Sequence, residues 1–491
     1  MNRREFLKAS LLSTASLALF PGCQPPAPIR QSPAPIRQPG VLGANSDIRL
    51  AVVGLNGRGK THIEEFQKVP GVRLVALCDP DRNVLDKAIG KCQDQGNSLR
   101  GYTDIRDLLE SKDLDAVSIA TPNHWHSLAS IWAIQAGKDV YVEKPVSHNV
   151  WEGRQLVEAT RKHNRIVQAG VQIRSNPGIR EARQWLLDGN LGKIIRARGL
   201  CYKRRPSIGK TEGPQPIPES VNYDLWCGPA PKEPLRRKNL HYDWHWVWPT
   251  GNGDVGNQGI HQMDLGRWFL NEPGLSPTML SIGGRLGYDD DGTTPNTQLI
   301  LHDYAAAPLF FEVRGLPSRR DSTKMDDYRG ASIGLVVDCE GGSLVIPSYT
   351  EAIAYDQDGA EIKRFNGSAS HFANFIDVVR SRRTQDLRGP ILEAHISSAL
   401  CHTGNISHRL GQTHSPEEIR DAVKSNTALA ESLGRMEEHL AANAVDLHKT
   451  PCTLGVRLNM DTMTERFLSN PDANQLLTRE YRAPFVVPQK V

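Results

Sequence analysis

Ile48-Arg49-Leu50-Ala51-Val52-Val53 is a short apolar segment that runs directly into the turn Gly54-Leu55-Asn56-Gly57-Arg58-Gly59, and a helical pattern begins at about Lys60. Strand, glycine-rich turn and helix is the order of a dinucleotide-binding unit. The turn lets the backbone approach a pyrophosphate, and the helix N-terminus offers unpaired N–H groups. Asn56 stands where the pattern G-x-G-x-x-G has its middle glycine, so the prediction also depends on the segments after this helix.

The next segments of the chain extend this unit into a sheet. An apolar strand, Val72 to Cys78, ends in Asp79, which lies 25 positions after Gly54. An acid near this spacing accepts hydrogen bonds from an adenosine ribose and favours NAD over NADP. Further apolar strands are predicted at Asp115 to Ala120, Asp139 to Val142 and Arg165 to Val171, separated by helical patterns. The alternation predicts a parallel, doubly wound α/β sheet.

Lys144 is the most informative single residue, because it ends an apolar strand in Val140-Tyr141-Val142-Glu143-Lys144-Pro145. An ammonium beside a dinucleotide can hold a substrate hydroxyl and help to manage its proton during hydride transfer. The alternative is a surface lysine that caps a strand.

The glycine turn, Asp79, the run A-T-P-N-H-W-H at 120–126 and E-K-P at 143–145 together resemble the Gfo/Idh/MocA oxidoreductase family over residues 47–410. The resemblance implies an NAD-binding Rossmann domain at 47–174 and an α+β substrate domain with an open, mostly antiparallel sheet at 175–410. Residues 411–491 are then a helical extension. It also implies a cis proline at Pro145 and a cofactor site made of Gly54, Asn56, Gly57, Arg58, Gly59, Asp79, Thr121, Pro122, Asn123, His126 and Glu143.

The family pattern D-x-G-x-H aligns with Asn257 to His261. The resemblance implies that His261 is a proton acceptor beside the substrate hydroxyl, with Lys144 and Asn257 as its catalytic partners. An amide at position 257 can orient a hydroxyl, but it cannot stabilise an imidazolium as a carboxylate would. The substitution therefore leaves Lys144 and His261 to manage the proton between them.

Substrate-binding candidates come from two places. Gln172 and Arg174 come after the last Rossmann strand, and Arg174 could equally form an interdomain salt bridge. Tyr223, Trp244 and Trp246 belong to an aromatic-rich stretch. Flat aromatic faces suit the C–H surfaces of sugars, but such residues could equally form a dimer face or a core layer.

No metal is expected. His241, His245 and His261 are imidazoles of the kind that bind zinc, but no acid or cysteine stands at a ligand spacing from them. Eight widely spaced cysteines without a C-x-x-C pair argue against a disulfide scaffold, and most are expected to be small buried residues. The net charge of +4 is spread along the chain, which argues against nucleic acid as a partner.

The N-terminus predicts export. Arg3-Arg4 before Phe6-Leu7-Lys8 and an apolar run to Phe20 resembles a twin-arginine signal at residues 1–22, which implies a periplasmic or cell-envelope protein. Cys23 partly matches a lipoprotein cleavage box, so a lipid tether is an alternative to plain cleavage. The repeat Pro-Ala-Pro-Ile-Arg-Gln within residues 23–46 predicts an extended linker.

The leading hypothesis is an exported, homo-oligomeric oxidoreductase that transfers hydride between a sugar or glycoside hydroxyl and a tightly held NAD, since free NAD is scarce outside the cytoplasm. A branch of the family resembling alpha-N-acetylgalactosaminidases cleaves glycosides through transient oxidation. That branch generally lacks the lysine, so Lys144 favours oxidoreduction. A third hypothesis is a non-catalytic sugar-binding protein.

Overall fold

The computed structural model describes residues 47–96 and 98–491. The predicted export signal, the lipidation of Cys23 and the proline-rich linker lie outside these residues. Within the described ranges, no helix combines the length and the hydropathy needed to cross a bilayer. The seven cysteines in this part of the chain are unpaired and buried, as the sequence predicts.

The first half of the described chain forms a six-stranded parallel sheet with strand order β3-β2-β1-β4-β5-β6. β1, β4 and β5 are almost completely buried, because helices cover both faces of the sheet and leave the central strands no contact with solvent. The strands are β1 (Ile48–Val53), β2 (Val72–Cys78), β3 (Arg100–Tyr102), β4 (Ala116–Ile119), β5 (Asp139–Val142) and β6 (Val167–Ala169).

Five helices connect these strands. Asp81, Asp104 and Asn149 cap three of them, each accepting a hydrogen bond from a backbone N–H in the first helical turn. The helices are α1 (Arg58–Gln67), α2 (Arg82–Gln93), α3 (Ile105–Leu109), α4 (His126–Gln135) and α5 (Val150–His163). The doubly wound Rossmann sheet predicted from the sequence is confirmed.

The second half is built around a twelve-stranded sheet whose main path runs β14-β13-β12-β11-β7-β10-β9-β8-β16-β15. β7 and β10 are parallel, and the other pairings are antiparallel, which confirms the predicted mostly antiparallel sheet. The strands are β7 (Ile194–Tyr202), β8 (Thr278–Gly284), β9 (Thr297–His302), β10 (Leu309–Arg314), β11 (Ile333–Cys339), β12 (Gly342–Ile346), β13 (Glu351–Tyr355), β14 (Glu361–Asn366), β15 (Gln412–Thr413), β16 (Thr453–Leu454), β17 (Leu458–Asp461) and β18 (Arg466–Phe467).

The helices of the second half cover this sheet and also return to the first one. Phe372 and Phe375 of α9 join the core beneath the Rossmann sheet rather than that of the second sheet. The helices are α6 (Pro177–Leu187), α7 (Tyr223–Cys227), α8 (Ile260–Phe269), α9 (His371–Ser381), α10 (Ile391–Arg409), α11 (Pro416–Val423), α12 (Thr427–Ala442) and α13 (Pro471–Gln475).

Residues 411–491 are more than the helical extension expected from the sequence. Their strands β15, β16 and β17 extend the second sheet along its β8 edge. Ile419 and Val423 of α11 and Leu433 of α12 pack with Leu299 and Phe310 of the sheet in one apolar core. β15 and β16 have only two residues each, which is too short for a periodic pattern to be recognised in the sequence.

Candidate active site

A cleft opens at the carboxyl edge of the Rossmann sheet, where the strand order reverses between β1 and β4. This edge is where open α/β sheets bind ligands. Its volume is about 300 Å³, and it is lined by the ends of β1, β2, β4 and β5, by several residues between 225 and 245, and by Asn257.

The glycine turn after β1 forms the floor of the cleft. Gly54 has φ +82°, and a Cβ at this position would lie 2.7 Å from Ala120 O and Thr121 N. A Cβ on Gly59 would lie 1.9 Å from Gly54 O. Asn56 and Arg58 line the cleft together with Gly57, which caps α1. The turn therefore needs glycine at 54 and 59 and presents the N-terminus of α1 to the cleft, which suits a pyrophosphate.

Asp79 lies at the end of β2 and lines the same cleft. Its carboxylate accepts hydrogen bonds from Leu55 N at 2.9 Å and from Asp81 N at 3.0 Å. Burial raises the pKa of Asp79 to about 6, although both backbone hydrogen bonds oppose the shift. Each carboxylate oxygen keeps a lone pair free, so the group can still accept from a ribose hydroxyl.

Thr121, Pro122, Asn123 and His126, all predicted to lie near the nicotinamide, line the cleft after β4. The His126 ring is fixed between Pro145 O at 2.6 Å and Thr121 O at 2.7 Å. Asn123 Nδ2 donates to Asn252 Oδ1 at 3.0 Å. The Lys144–Pro145 peptide is cis, as expected for this proline.

Glu143 is the centre of a buried polar network beneath Lys144. It accepts from Arg58 Nε at 2.9 Å, lies 3.0 Å from His62 Nε2, and accepts from Gln172 Nε2 at 3.3 Å. Burial alone would raise the pKa of Glu143, but the charge of Arg58 and the hydrogen bond of His62 hold it well below its usual range. The carboxylate is therefore ionised, and Gln172 supports it instead of lining the cleft.

Lys144 lines the cleft at the junction of the two domains. Its ammonium donates to the backbone oxygen of Asn257 at 2.7 Å, and it pairs with no carboxylate among the described residues. Burial lowers the pKa of Lys144, and the charge of Glu143 opposes that shift. Lys144 therefore presents a partly desolvated cation, and the strand-capping alternative does not describe its surroundings.

His261 lies in the first turn of the helix after Asn257. Residues Val255–Gly259 form a π-helical turn that carries Asn257, and α8 continues from it. Burial, helped by the charge of Lys144, lowers the pKa of His261 to about 3, so the ring is neutral at physiological pH. Its Nδ1 is buried without a hydrogen-bond partner among the described residues, and the ring centroid lies 5.4 Å from that of Tyr349.

A segment of the second domain closes the other side of the cleft. We call residues 220–250 the cover segment. Leu225, Trp226, Tyr242, Trp244 and His245 of this segment line the cleft.

Backbone hydrogen bonds join the first residues of the cover segment to the Rossmann domain just after β2. Arg82 N donates to Ser220 O, and Asn222 N donates to Pro80 O, both at 2.9 Å. His241 Nε2 lies 2.8 Å from the Asp81 carboxylate. The cover segment therefore spans the cleft from one domain to the other.

The predicted aromatic substrate platform is divided by the fold. Trp244 lines the cleft, with the His245 ring stacked on it at 3.6 Å. Tyr223 instead stacks on Trp226 and donates its hydroxyl to Glu233 O, and Trp246 is buried under Arg205. Tyr223 and Trp246 therefore pack against other residues instead of lining the cleft.

Arg174 is also remote from the cleft lining. Its guanidinium binds the Asp264 carboxylate through two hydrogen bonds of 2.7 and 2.8 Å and lies within 3.5 Å of Glu393. Both charged groups of the main pair are buried. Arg174 therefore forms a salt bridge between the end of the Rossmann domain and α8, which is the alternative to substrate binding given above.

The final residues of the chain hold the cover segment in place. Arg482 donates to the Asp224 carboxylate at 2.8 Å and to Gly228 O at 3.0 Å, and Arg479 donates to Pro249 O at 3.0 Å. Phe485 is buried against Trp125 and Trp132 of the Rossmann domain. The tail thus connects the cover segment to helix α4.

Several residues of the site carry no sequence signal of their own. His62 supports Glu143, and Lys203, Gln258 and Tyr349 form the wall beside His261. Only the basic run Lys203-Arg204-Arg205 at the end of β7 could have drawn attention to this wall.

Of the imidazoles weighed as metal ligands, His241 pairs with Asp81. The described residues contain no group of three or more His, Cys, Asp or Glu side chains able to hold a metal.

Comparisons with known proteins agree with this architecture. Residues 48–171 match the Gfo/Idh/MocA profile described as an oxidoreductase family with an NAD-binding Rossmann fold. Residues 182–305 match the profile of the C-terminal alpha/beta domain of the same oxidoreductase family. Together the two profiles cover about half of the chain. The chain belongs to the Gfo/Idh/MocA family and carries its NAD-binding Rossmann fold.

The curated relatives match only part of the chain. Glycosyl hydrolase family 109 proteins of two Shewanella baltica strains are 33% and 34% identical over 177 residues, which is 33% of this chain and 37% of each relative. The match therefore spans little more than a third of the length of these relatives.

Solved structures match a larger share of the chain at lower identity. The WlbA dehydrogenase of Bordetella pertussis, solved with NADH and UDP-GlcNAcA, is 19% identical with a TM-score of 0.52 over 72% of this chain and 94% of that one. An NAD-binding protein of Listeria innocua is 16% identical with a TM-score of 0.52 over 73% and 94%. At these identities the similarity shows the fold.

Proposed function

We propose that this protein transfers hydride between a hydroxyl of a sugar or glycoside and a nicotinamide held tightly in the cleft. The observation that carries the proposal is the ammonium of Lys144. It lies at the domain junction, lines the dinucleotide cleft and has no carboxylate partner among the described residues. A partly buried cation without a counter-charge suits an oxygen that gains alkoxide character. WlbA, of similar fold, was solved with a nucleotide sugar, which makes a sugar a reasonable substrate class.

The cleft residues fit NAD. Gly54 and Gly59 let the turn fold tightly against itself and the residues after β4, which presents the N-terminus of α1 to a pyrophosphate, and Asp79 offers a carboxylate where a ribose would lie. When bound, the nicotinamide supplies the hydride acceptor. Asp79 favours NAD over NADP because a carboxylate would repel a 2′-phosphate.

Four residues of the chain have separate roles in the proposed proton transfer. Lys144 holds the reacting oxygen and lowers the cost of its negative charge. The proposed proton acceptor is His261, which is neutral and makes no hydrogen bond through Nδ1 among the described residues. Because burial leaves the ring a weak base with a pKa of about 3, it would take the proton only as Lys144 makes the reacting hydroxyl more acidic. Asn257, which lines the cleft, would orient the ring or the hydroxyl. Glu143, held ionised by Arg58 and His62, keeps Lys144 charged despite its burial.

The cover segment supports cofactor retention. It lies over the dinucleotide cleft and is tied to the Rossmann domain at Pro80, Asp81 and Arg82 and to the C-terminal tail at Asp224 and Gly228. An enzyme exported with its cofactor, as the N-terminus predicts, would benefit from such a cover. The hydride must then be passed on within the site, by a second substrate or by a later reductive step.

The test uses the full chain, purified from the cell envelope. Acid extraction should release close to one nicotinamide per chain. An extract without nicotinamide would contradict the proposal that the cofactor is retained. The loaded protein is then mixed with a panel of free sugars and glycosides while nicotinamide absorbance is measured. Reduction by at least one sugar, lost in Lys144→Ala, supports hydride transfer. Equal reduction in Lys144→Ala would show that hydride transfer does not depend on Lys144, and no reduction by any sugar of the panel would favour the non-catalytic sugar-binding hypothesis.

A second candidate function is glycoside hydrolysis, which the names of the Shewanella relatives favour. Oxidation of a carbon beside the glycosidic bond makes the neighbouring C–H acidic, which permits elimination of the leaving group. Addition of water and return of the hydride then complete a cleavage without net redox change. Release of an aryl leaving group that requires bound NAD and yields no net NADH would favour this reaction.

A further inference from the structure

Two ammonium groups beside His261 have neutral hydrogen-bond partners. Lys144 Nζ donates to the backbone oxygen of Asn257 at 2.7 Å, and Lys203 Nζ donates to the side-chain oxygen of Gln258 at 3.0 Å. Asn257 and Gln258 are adjacent in the π-helical turn, so one turn holds both cations. Both lysines are half-buried, and neither forms an ion pair within residues 47–96 and 98–491.

Two acids of this region, Asp254 and Glu143, already have other partners. Asp254 binds Arg205 through two hydrogen bonds of 2.9 and 2.8 Å. Glu143 binds Arg58 and His62. Lys144 and Lys203 therefore have no ion-pair partner of their own among the described residues. Two partly buried like charges are costly unless a ligand neutralises them.

The surroundings of Lys203 differ from those of a solvated surface lysine. Gln258, its acceptor, also donates to the Tyr349 hydroxyl at 2.8 Å, and the Tyr349 ring lies against His261. Lys203, Gln258, Tyr349 and His261 therefore form one continuous polar wall beside Lys144. The neighbouring Arg204 is exposed, so its charge is met by water instead.

We propose that the substrate is an anionic sugar, and that Lys203 binds its carboxylate or phosphate group while Lys144 takes the reacting hydroxyl. A compact ammonium binds either anion as a point charge. The proposal rests on the proposed function for the identity of the reacting hydroxyl. Anion binding itself can be measured without any turnover, so the two can fail separately.

The experiment compares matched sugars by calorimetry on the NAD-loaded full chain at low salt. Each set contains a neutral hexose, its uronate and its 6-phosphate, for the glucose, galactose and mannose series. At least one acidic sugar should bind about 10- to 100-fold more tightly than its neutral partner, the size expected for one charge-assisted contact. A preferred uronate identifies a carboxylate, and a preferred 6-phosphate identifies a phosphate.

Lys203→Gln should abolish this preference by weakening the affinity for the acidic sugar, with NAD content as the check on folding. Arg204→Gln is the matched control, because it removes the same charge from the adjacent, exposed position and should keep the preference. Equal affinities within every set, or equal losses in both variants, would overturn the proposal. An acid preference without hydride transfer would refute the proposed function alone, and turnover without acid preference would refute the anionic substrate alone.

Discussion

The two sides of the cleft are built in different ways. The cofactor side is formed by the glycine turn, Asp79, residues 120–126 and residues 143–145, each directly after a strand of one parallel sheet. On the other side the cover segment and Asn257 line the cleft, and the end of β7 and Tyr349 meet beside it at Gln258 of the π-helical turn. These parts are separated by long stretches of chain. The first side depends on local geometry, and the second depends on the packing of the whole second domain.

This difference explains why the two sides have different chemistry. Parallel strands bring their carboxyl ends to one edge of the sheet, so short motifs that follow those strands lie next to each other. On this side backbone groups of the glycine turn contribute to the lining of the cleft. The substrate side adds long side chains such as Lys203 and Tyr349, which come from different elements and meet at Gln258. Lys144 belongs to the first side in sequence and contacts the second through Asn257.

The largest effect is expected at this contact between the two sides. Lys144→Ala removes the group that touches Asn257 of the second domain and that, in the proposed reaction, holds the reacting oxygen, so turnover should fall about 10²- to 10⁴-fold. Cofactor content should stay the same, because Lys144 does not support the glycine turn. Single-turnover reduction of the bound nicotinamide measures the loss.

Lys60→Ala is the control for Lys144→Ala, since Lys60 is an exposed lysine on α1 close to the same cleft. It should leave turnover unchanged. A comparable loss in both variants would mean that charge near the cleft, rather than the placement of Lys144, supports the reaction.

On the cofactor side the expected effect is a loss of binding. Gly54→Ala would force φ +82° on an alanine and bring its Cβ within 2.7 Å of Ala120 O and Thr121 N. Such strain costs about 1–3 kcal/mol, so NAD affinity should fall about 5- to 150-fold and the melting temperature should drop. Gly90→Ala, within α2 and with open space around it, should be neutral or slightly stabilising. Retained NAD in Gly54→Ala would show that the turn tolerates a side chain.

The same contrast limits what the sequence could predict. Gly54, Asp79 and Lys144 each come after a strand that the apolar pattern reveals, so their convergence on one edge could be predicted. Lys203 and Tyr349 come after strands of an antiparallel sheet, where strand ends alternate between the two edges, and no short motif marks them.

Side-chain orientation was the other limit of prediction. Arg174 and Trp246 occupy positions near the domain junction, but the fold turns one toward Asp264 and places the other under Arg205. Composition and spacing cannot distinguish these orientations from a substrate contact. Tyr223 shows the same limit, since its ring stacks on Trp226 within the cover segment.

The cover segment links the two sides, and loosening it should release cofactor. Arg482→Ala removes the hydrogen bonds to Asp224 and Gly228, so NAD should dissociate up to about 100-fold faster while the fold is retained. Stopped-flow exchange against a fluorescent NAD analogue measures the rate. Arg457→Ala, an exposed arginine of the same tail, should leave the rate unchanged. Equal rates in all three proteins would mean that the tail does not restrain the cover segment.

The smallest effect is expected from the protonation of Asp79. Burial raises the pKa of Asp79 from 3.8 to about 6. The folded, cofactor-free protein therefore holds this proton more tightly than the unfolded chain, and Asp79 stabilises the fold at low pH. Its contribution to the free energy of unfolding decreases as the pH rises from about 4 to about 6. Binding has the opposite sign, because the ionised carboxylate is the better acceptor for a ribose hydroxyl. NAD affinity should therefore weaken as the pH falls through 6, by at most about tenfold between pH 7 and pH 5. Titration calorimetry at several pH values measures this, and Asp79→Asn should bind more weakly with a flat profile. An equally steep profile in Asp79→Asn would mean that another group takes up the proton and that the protonation of Asp79 does not affect NAD affinity.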